Sequence, residues 1–402
     1  MKTPPFFIAY PALKYIIKWV FISSVLAILV GLASAVFLYS LHWATQYRQH
    51  HLWLVGLLPI GGFLVGLLYH YYGKNIGGGN KVWLNASQQP GQTVPFKMAP
   101  FVYLGTMISH FLGASAGREG TALQMATAIS YQLAKPLKIS ASEKKILLTA
   151  AIAAGFGSVF GTPYAGAVFA LEIALVGRFR YKAFFPAFLS GMFAHIICTL
   201  FGVEHTNYTV VVLPPITFLT LMYCVIAGLA FGLCAWLFCK NMLWLSGIFT
   251  STIKYAPLRP FIGGVLIASA VFLMDSTTYI GLGIPTISAS FGQPLPTYTF
   301  ALKMVFTIVT LSAGFKGGEV TPLFFIGATL GNALVCFIPL PMGILAAMGF
   351  VAVFAGASKA PLACIVLGVE MFGFSSGCFI ALASVISYFV SGSSGIYKVN
   401  NA

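Results

Sequence analysis

Several runs of apolar residues in this chain are long enough to cross a lipid bilayer, and they limit the possible folds more than any other feature. The runs cover residues 19–39, 52–72, 184–201 and 210–239, and a helix of about 20 residues spans the apolar core of a bilayer. Only 7% of the residues are charged, whereas about a quarter are charged in a soluble domain. The sequence therefore predicts an all-α polytopic membrane protein.

Other apolar runs are too short to cross a bilayer. Residues 121–133 and 146–154 are examples, and polar residues, glycine or proline bound them. Transporters place short, broken helices around a binding site near the membrane midplane, because the freed backbone groups can then face an ion. These short runs indicate a transport site inside the protein.

Basic residues outnumber acidic ones, with 22 Lys and Arg against seven Asp and Glu. No basic run is interleaved with stacking aromatic residues, so nucleic acid is not an expected partner. The basic residues cluster around the apolar runs, which is typical of cytoplasmic loops and predicts a cytoplasmic amino-terminal lead over residues 1–11. The clusters contain Lys2, Lys14 and Lys18, then Lys135, Lys138, Lys144 and Lys145, then Arg178, Arg180 and Lys182.

Residues 117–124 read GREGTALQ and place a carboxylate, Glu119, between two apolar segments. An ionisable group at membrane depth is costly unless it faces a cavity or a partner, so Glu119 is a functional candidate. Gly117 and Gly120 allow backbone amides to crowd around one point, and the amino end of a helix that starts here favours an anion. The stretch therefore predicts an anion and a carboxylate that compete for one place.

The second half of the chain repeats blocks of the first half in the same order. The block at residues 77–80 is matched at 281–285, the block at 117–121 at 317–321, and the block at 163–172 at 361–370. We interpret the chain as two homologous halves, residues 12–202 and 208–402, that meet at a shared site. Four of the seven acidic residues fall in these blocks: Glu119, Glu319, Glu172 and Glu370. For Glu172 and Glu370, which end apolar runs, structural hydrogen bonding is the favoured interpretation.

These motifs resemble those of the CLC family of anion channels and anion/proton antiporters over nearly the whole chain. GREGTALQ is similar to the GREGP-type motif whose glutamate is the external gate, and residues 157–172, GSVFGTPYAGAVFALE, resemble GxFxxPxxGxxFxxE. The segment from Ser391 to Tyr397 resembles the one that brings a tyrosine to the anion. The resemblance implies a CLC-type inverted-repeat fold with tilted and broken helices. It also implies a homodimer, with a pathway in each subunit, in a bacterial cell membrane, and we expect no carboxy-terminal regulatory domain after Tyr397.

Three departures from the common CLC pattern point to one branch of the family. Asn80 lies in the loop that usually carries a GSGIP serine, Ile173 replaces the internal proton-transfer glutamate, and the third anion motif contains Glu319 and Thr321. These changes resemble the fluoride/proton antiporters, or CLC-F branch, in which GREGT and GGEVTP-like motifs occur together.

Fluoride is small, hard and strongly hydrated, so its site needs short, strong hydrogen-bond donors. The expected donors include the hydroxyls of Thr321 and Tyr397, the amide of Asn80, and backbone amides near Glu119 and Glu319. A deprotonated Glu119 repels the anion, whereas a protonated one donates to it, so one side chain exchanges a proton for fluoride. Glu319 would favour protonation of Glu119 through like-charge proximity or take part in the proton relay. The candidate anion-binding residues are Gly78, Gly79, Asn80, Gly117, Arg118, Gly120, Thr121, Val320, Thr321 and Tyr397.

Structural alternatives exist for each of these residues. Glu119 could pair with Arg118, and Glu319 with Lys316. Thr321 and Asn80 could be helix caps, and Tyr397 an interfacial aromatic residue.

The functional alternatives are a chloride/proton antiporter and a passive CLC anion channel. We expect no enzyme, because no GxSxG with a plausible histidine, no HExxH and no pair of aspartates at catalytic spacing is found. The seven histidines show no ligand spacing, so no metal or other cofactor is expected.

Overall fold

The structure is a computed structural model that describes residues 5–89, 92–174 and 181–397. Within these ranges the regular structure is helical, apart from one isolated β-bridge. The α-helices, in chain order, are α1 (Pro5–His50), α2 (Leu58–Tyr72), α3 (Asn80–Gln88), α4 (Met98–Leu112), α5 (Glu119–Leu133), α6 (Lys144–Phe160), α7 (Pro163–Ala174), α8 (Tyr181–Leu200), α9 (Phe218–Thr252), α10 (Leu258–Met274), α11 (Ile284–Ala289), α12 (Thr299–Ser312), α13 (Val320–Leu334), α14 (Met342–Ser358), α15 (Pro361–Phe372) and α16 (Gly377–Val390).

Four helical stretches are long and apolar enough to cross a membrane. They are Leu13–His50, Leu52–Tyr72, Lys182–Leu200 and Phe218–Thr252, and they overlap the four long apolar runs of the sequence. The first helix departs from the prediction at its start, because α1 begins at Pro5, inside the predicted lead. The fourth begins at Phe218 rather than near Val210, because Pro214 and Pro215 resist entry into a helix. The Thr217 side chain caps its first turn.

The short helices of the two halves match in length. Helices α5 and α13 each contain 15 residues, α6 and α14 each contain 17, and α7 and α15 each contain 12. The blocks that repeat in the sequence therefore fold into equivalent elements, as the CLC-type inverted repeat requires.

Two carboxylates show that the repeat is inverted. Glu172, near the end of α7, accepts hydrogen bonds from the backbone N–H groups of Leu362 (3.2 Å) and Ala363 (2.8 Å) at the start of α15. Glu370, near the end of α15, accepts the matching bonds at the start of α7. Each helix thus ends beside the beginning of the other, where a carboxylate satisfies free N–H groups and the positive end of the helix dipole. The structural hydrogen bonding favoured for both glutamates is confirmed.

Some of the basic residues that the structure describes lie together where α1, α8 and the loop before α6 meet. Lys18 forms an ion pair of 2.6 Å with Glu143, which joins the start of α1 to the loop before α6. The Tyr15 hydroxyl donates to the carbonyl of Lys182, and this bond joins the start of α8 to α1. Lys2, Arg178 and Arg180 lie outside the described residues.

Close backbone packing sets the position of α13 against α14 in the core. A Cβ atom added to Gly327 or Gly349 would overlap the backbone of the other residue, so glycine permits this approach. Large buried rings fill the space beside it, with Phe324 and Phe350 stacked at 4.0 Å between centroids. This rigid packing fixes the amino end of α13, where the candidate site lies.

Candidate functional site

Two glycine-rich segments, one from each half, meet inside the protein. The N–H of Gly117 donates to the carbonyl of Gly318 at 2.6 Å, and the N–H of Gly318 donates back at 2.7 Å. A Cβ atom at Gly117 would lie 2.9 Å from the Gly318 oxygen, so the contact requires glycine. The contact brings together Glu119, the first residue of α5, and Glu319, the residue before α13.

The carboxylate of Glu119 is held by donors at the amino end of α13. One oxygen accepts hydrogen bonds from the N–H of Arg118 (3.1 Å) and from the N–H of Thr321 (3.2 Å). The other oxygen accepts a hydrogen bond from the Thr321 hydroxyl. A negative group at a helix amino terminus gains from the free N–H groups and from the dipole. The Glu119 carboxylate therefore lies where a helix terminus favours a negative group, and Thr321 is one of its donors.

Glu119 is sealed from solvent, since only 1% of its surface is exposed. Its nearest cation is the guanidinium of Arg118, whose Nε lies 3.8 Å from the carboxylate. That separation exceeds hydrogen-bond length. Glu119 thus forms a long ion pair with Arg118, as the structural alternative expects, but two of its hydrogen bonds come from Thr321 on α13, in the other half of the repeat.

Glu319 lies in a more open setting. The side-chain amide of Asn80 donates to it at 3.5 Å, the long limit for a hydrogen bond. Lys316 forms no salt bridge with Glu319 among the described residues; its ammonium lies 4.0 Å from the centroid of the Tyr69 ring. The alternative of a Glu319–Lys316 pair is therefore wrong.

Cavities approach the two glutamates from opposite ends of α2. A larger cavity of about 750 Å³ is lined by Tyr69 and Gly73, at the end of α2, and reaches Glu319. Gly78, Gly79 and Asn80 also line it. A smaller cavity of about 320 Å³ is lined by Leu52, before α2, and reaches Arg118. Glu119 lines neither cavity, so this buried carboxylate is separated from both, with Arg118 on the side of the smaller cavity and Glu319 on the side of the larger one.

The remaining predicted residues divide into those near the glutamates and one that is turned away. A Cβ atom on Gly120 would lie 3.1 Å from Gly318, and Val320 is fully buried at the start of α13. The hydroxyl of Tyr397 is buried and makes no hydrogen bond with the described residues. In contrast, Thr121 directs its hydroxyl to that of Thr106 on α4 at 2.7 Å. The prediction that the Thr121 side chain binds the anion is not supported by this geometry.

The family described as "Voltage gated chloride channel" matches residues 61–392, most of the chain. The chain belongs to the CLC family.

Individual CLC proteins are similar to this chain over almost its full length. A "Chloride/fluoride channel protein" of Pseudomonas syringae pv. tomato (strain ATCC BAA-871 / DC3000) is 48% identical over 391 residues, which cover 96% of this chain and 86% of the relative. The crystal structure of a CLC-type fluoride/proton antiporter is similar with a TM-score of 0.91, 31% identity and coverage of 98% of both chains. A slow cyanobacterial Cl⁻/H⁺ antiporter has a TM-score of 0.83 at 20% identity, covering 94% of this chain and 96% of the other, and shows the fold alone.

Sequence reasoning missed buried cations in this CLC chain, because basic residues were interpreted as loop charges. Lys303 is fully buried within α12, and its ammonium donates to the carbonyls of Tyr279 (3.1 Å) and Gly281 (2.7 Å). Arg48, which lines the smaller cavity, donates to the carbonyl of His110. Neither cation has a carboxylate partner among the described residues, so their charge makes this side of the site attractive to anions. An isolated lysine in the middle of an apolar run was the available signal for Lys303.

His110 was also missed. It is fully buried on α4, and its Nε2 lies 3.3 Å from the carbonyl of Gly117, to which it donates. This bond supports the segment that leads to Glu119. Nothing in the sequence spacing distinguishes His110 from a histidine that packs in an apolar core.

Proposed function

We propose that this chain is a fluoride/proton antiporter that exports fluoride in exchange for protons, with Glu119 as the gate and the proton carrier. The observation that carries the proposal is the set of donors around the Glu119 carboxylate. The Thr321 hydroxyl and two backbone N–H groups hold it at the amino end of α13. These are the strong, short-range donors that a small hard anion needs in exchange for its water.

Competition for these donors couples the two ions. An ionised Glu119 occupies the donors and excludes an anion by charge. A protonated Glu119 is neutral, holds the donors less strongly and leaves them to fluoride, to which its own O–H can donate. The bound proton therefore moves in one direction as the anion moves in the other.

Glu319 takes the inner part of the proton transfer in this proposal. It follows the Gly117–Gly318 contact directly and lines the larger cavity, whereas Glu119 lines neither cavity. A proton that enters or leaves through the larger cavity therefore meets Glu319 first.

Fluoride is preferred over chloride as the substrate for two reasons. Thr321 and Asn80 supply a hydroxyl and an amide near the glutamates, and strong donors favour the smaller, harder anion. The 48%-identical relative is a chloride/fluoride channel protein, and the 31%-identical structure is that of a fluoride/proton antiporter. A chloride/proton antiporter is the second candidate, and a passive CLC channel, in which Glu119 only gates, is the third.

The same proposal includes the setting of the transporter. We infer transport rather than catalysis, in a bacterial cell membrane, with lipid around the apolar helices and a second copy of the chain as a homodimer partner. The two halves, residues 12–202 and 208–402, supply one glutamate each to the site. The matched helix lengths and the reciprocal contacts of Glu172 and Glu370 support this division.

A liposome assay of the purified chain tests the function. An imposed fluoride gradient is expected to drive protons against their own gradient, and an equal chloride gradient is expected to drive far fewer. Fluoride flux without uphill proton movement would contradict the antiporter and support the passive channel. Equal proton movement with both anions would favour a general halide/proton antiporter.

A further inference from the structure

The orientation of the Asn80 side chain is set by a donor that cannot act as an acceptor. The indole N–H of Trp83 points at the Asn80 side-chain oxygen at 3.2 Å. Because an indole nitrogen only donates, the atom that faces it must be the amide oxygen and not the amide nitrogen. Trp83 lies one turn after Asn80 on α3 and is fully buried, so this donor is fixed in place.

A second donor reaches the same oxygen from α5, the helix that begins at Glu119. The side-chain N–H of Gln124, on α5, donates to the Asn80 oxygen at 3.1 Å. A carbonyl oxygen has two lone pairs, and both are now occupied. A turn of the amide by 180° would place its N–H₂ against these donors and leave a buried indole N–H without a partner, which is unfavourable.

The fixed orientation directs the amide N–H₂ toward the site. The Asn80 nitrogen lies 3.5 Å from Glu319 and would lie 3.3 Å from a Cβ atom on Gly120. Asn80 also lines the larger cavity. A free amide could present its oxygen or its nitrogen, but this one presents donors alone.

We propose that Trp83 and Gln124 are positioning residues that make Asn80 a donor-only group toward the anion, and that they thereby set the discrimination between fluoride and chloride. This inference rests on the proposed function, since it assigns anion specificity to the same site. A donor-only amide strengthens the site most for the anion that accepts the strongest hydrogen bond, which is fluoride. Trp83 does not line the larger cavity and acts through Asn80, whereas Gln124 lines that cavity and also holds the Asn80 oxygen.

The experiment measures the ratio of fluoride to chloride efflux from liposomes that contain the full chain. Trp83→Phe keeps a ring and removes the N–H, and Gln124→Met keeps the length and removes the donor. Since either donor alone still holds the oxygen, each single variant is expected to lower the ratio by about twofold to threefold, whereas the double variant lowers it by about tenfold. Proton coupling is expected to persist in all three, because the donors to Glu119 are unchanged.

A background without the amide separates positioning from general packing. In Asn80→Ala, the addition of both substitutions is expected to leave the ratio where Asn80→Ala alone puts it. A further fall in that background, or a double variant with the wild-type ratio, would overturn the proposal. If wild-type protein fails to couple fluoride to protons, the proposed function fails, but the ratio test of Trp83 and Gln124 stands by itself.

A second variant covers the case in which Trp83→Phe does not fold, as judged by size-exclusion chromatography. Gln124→Glu replaces the donor by a carboxylate that accepts from the Asn80 N–H₂ and so opposes its orientation. It is expected to lower the efflux ratio by about fivefold. An unchanged ratio in well-folded Gln124→Glu would also count against the proposal.

Discussion

Glu119 and Glu319, at the amino ends of α5 and α13, occupy equivalent places in the two halves of the sequence but lie in different environments. Glu119 has 1% of its surface exposed and accepts hydrogen bonds from α13 in the other half. Glu319 lines the larger cavity and has one long contact, from Asn80. An inverted repeat places equivalent residues at one point but leaves them facing different neighbours. In the proposed function, this difference makes Glu119 the gate and Glu319 the residue that exchanges protons with the larger cavity.

The residues that follow the glutamates differ in the same way. Thr321 donates to Glu119, whereas Thr121, two residues after Glu119, bonds to Thr106 on α4. Two of the three donors to the Glu119 carboxylate thus come from the second half, and the reverse contact, from Thr121 to Glu319, is not made among the described residues. The asymmetry suits an exchanger, because a carboxylate held equally by both halves would have no preferred route for its proton.

The largest effect is expected from Glu119→Gln. The amide cannot carry a proton across the site and does not compete with the anion by charge, so proton coupling should be abolished while fluoride still flows down its gradient. Proton movement in liposomes under a fluoride gradient measures this loss. Coupling that survived at the wild-type level would remove Glu119 from the mechanism.

Glu319→Gln is the matching change in the second half and tests the division of roles. If Glu319 passes protons between the cavity and Glu119, proton movement should fall by about tenfold or more, since a positioned proton-transfer group contributes about 10²–10⁴-fold to a proton-transfer step. If Glu119→Gln and Glu319→Gln changed fluoride flux identically, the difference in burial between Glu119 and Glu319 would have no functional meaning.

The pairing of the two halves could be predicted from the sequence because glycine, proline and carboxylate positions recur in order, and these residues define short helices and their ends. Glu119 and Thr321 could be placed at one site for the same reason. The direction of the Thr121 hydroxyl could not be predicted, because its hydrogen-bond partner, Thr106, belongs to a different helix and to no repeated block. The buried Lys303 was missed because carbonyls rather than acidic side chains satisfy it, and backbone partners leave no trace in a sequence.

Thr321→Ala, compared with Thr121→Ala, sharpens the contrast between the halves. Loss of the Thr321 hydroxyl removes a donor from the anion position, so the fluoride-to-chloride efflux ratio should fall by about fivefold to tenfold. Thr121→Ala removes a hydroxyl of the same kind that bonds to Thr106. It should cost about 1 kcal/mol of stability and leave the ratio unchanged. Equal ratios in both variants would contradict the assignment of Thr321 as an anion donor.

The smallest effect on transport is expected where the two halves are most alike. Glu172 and Glu370 each accept two hydrogen bonds from backbone N–H groups at the start of the equivalent helix in the other half. Glu172→Gln and Glu370→Gln should each lower the free energy of unfolding by about 1–2 kcal/mol, because the charge and one acceptor oxygen are lost. Thermal unfolding in detergent measures the loss, and Glu204→Gln, in an exposed loop, is the control that should not shift the melting temperature. Because the two contacts are reciprocal, the two shifts should be similar, and proton coupling should stay at the wild-type level in both. A variant that lost coupling without losing stability would show that this carboxylate pair also carries protons, and the division between a structural pair and a transporting pair would no longer hold.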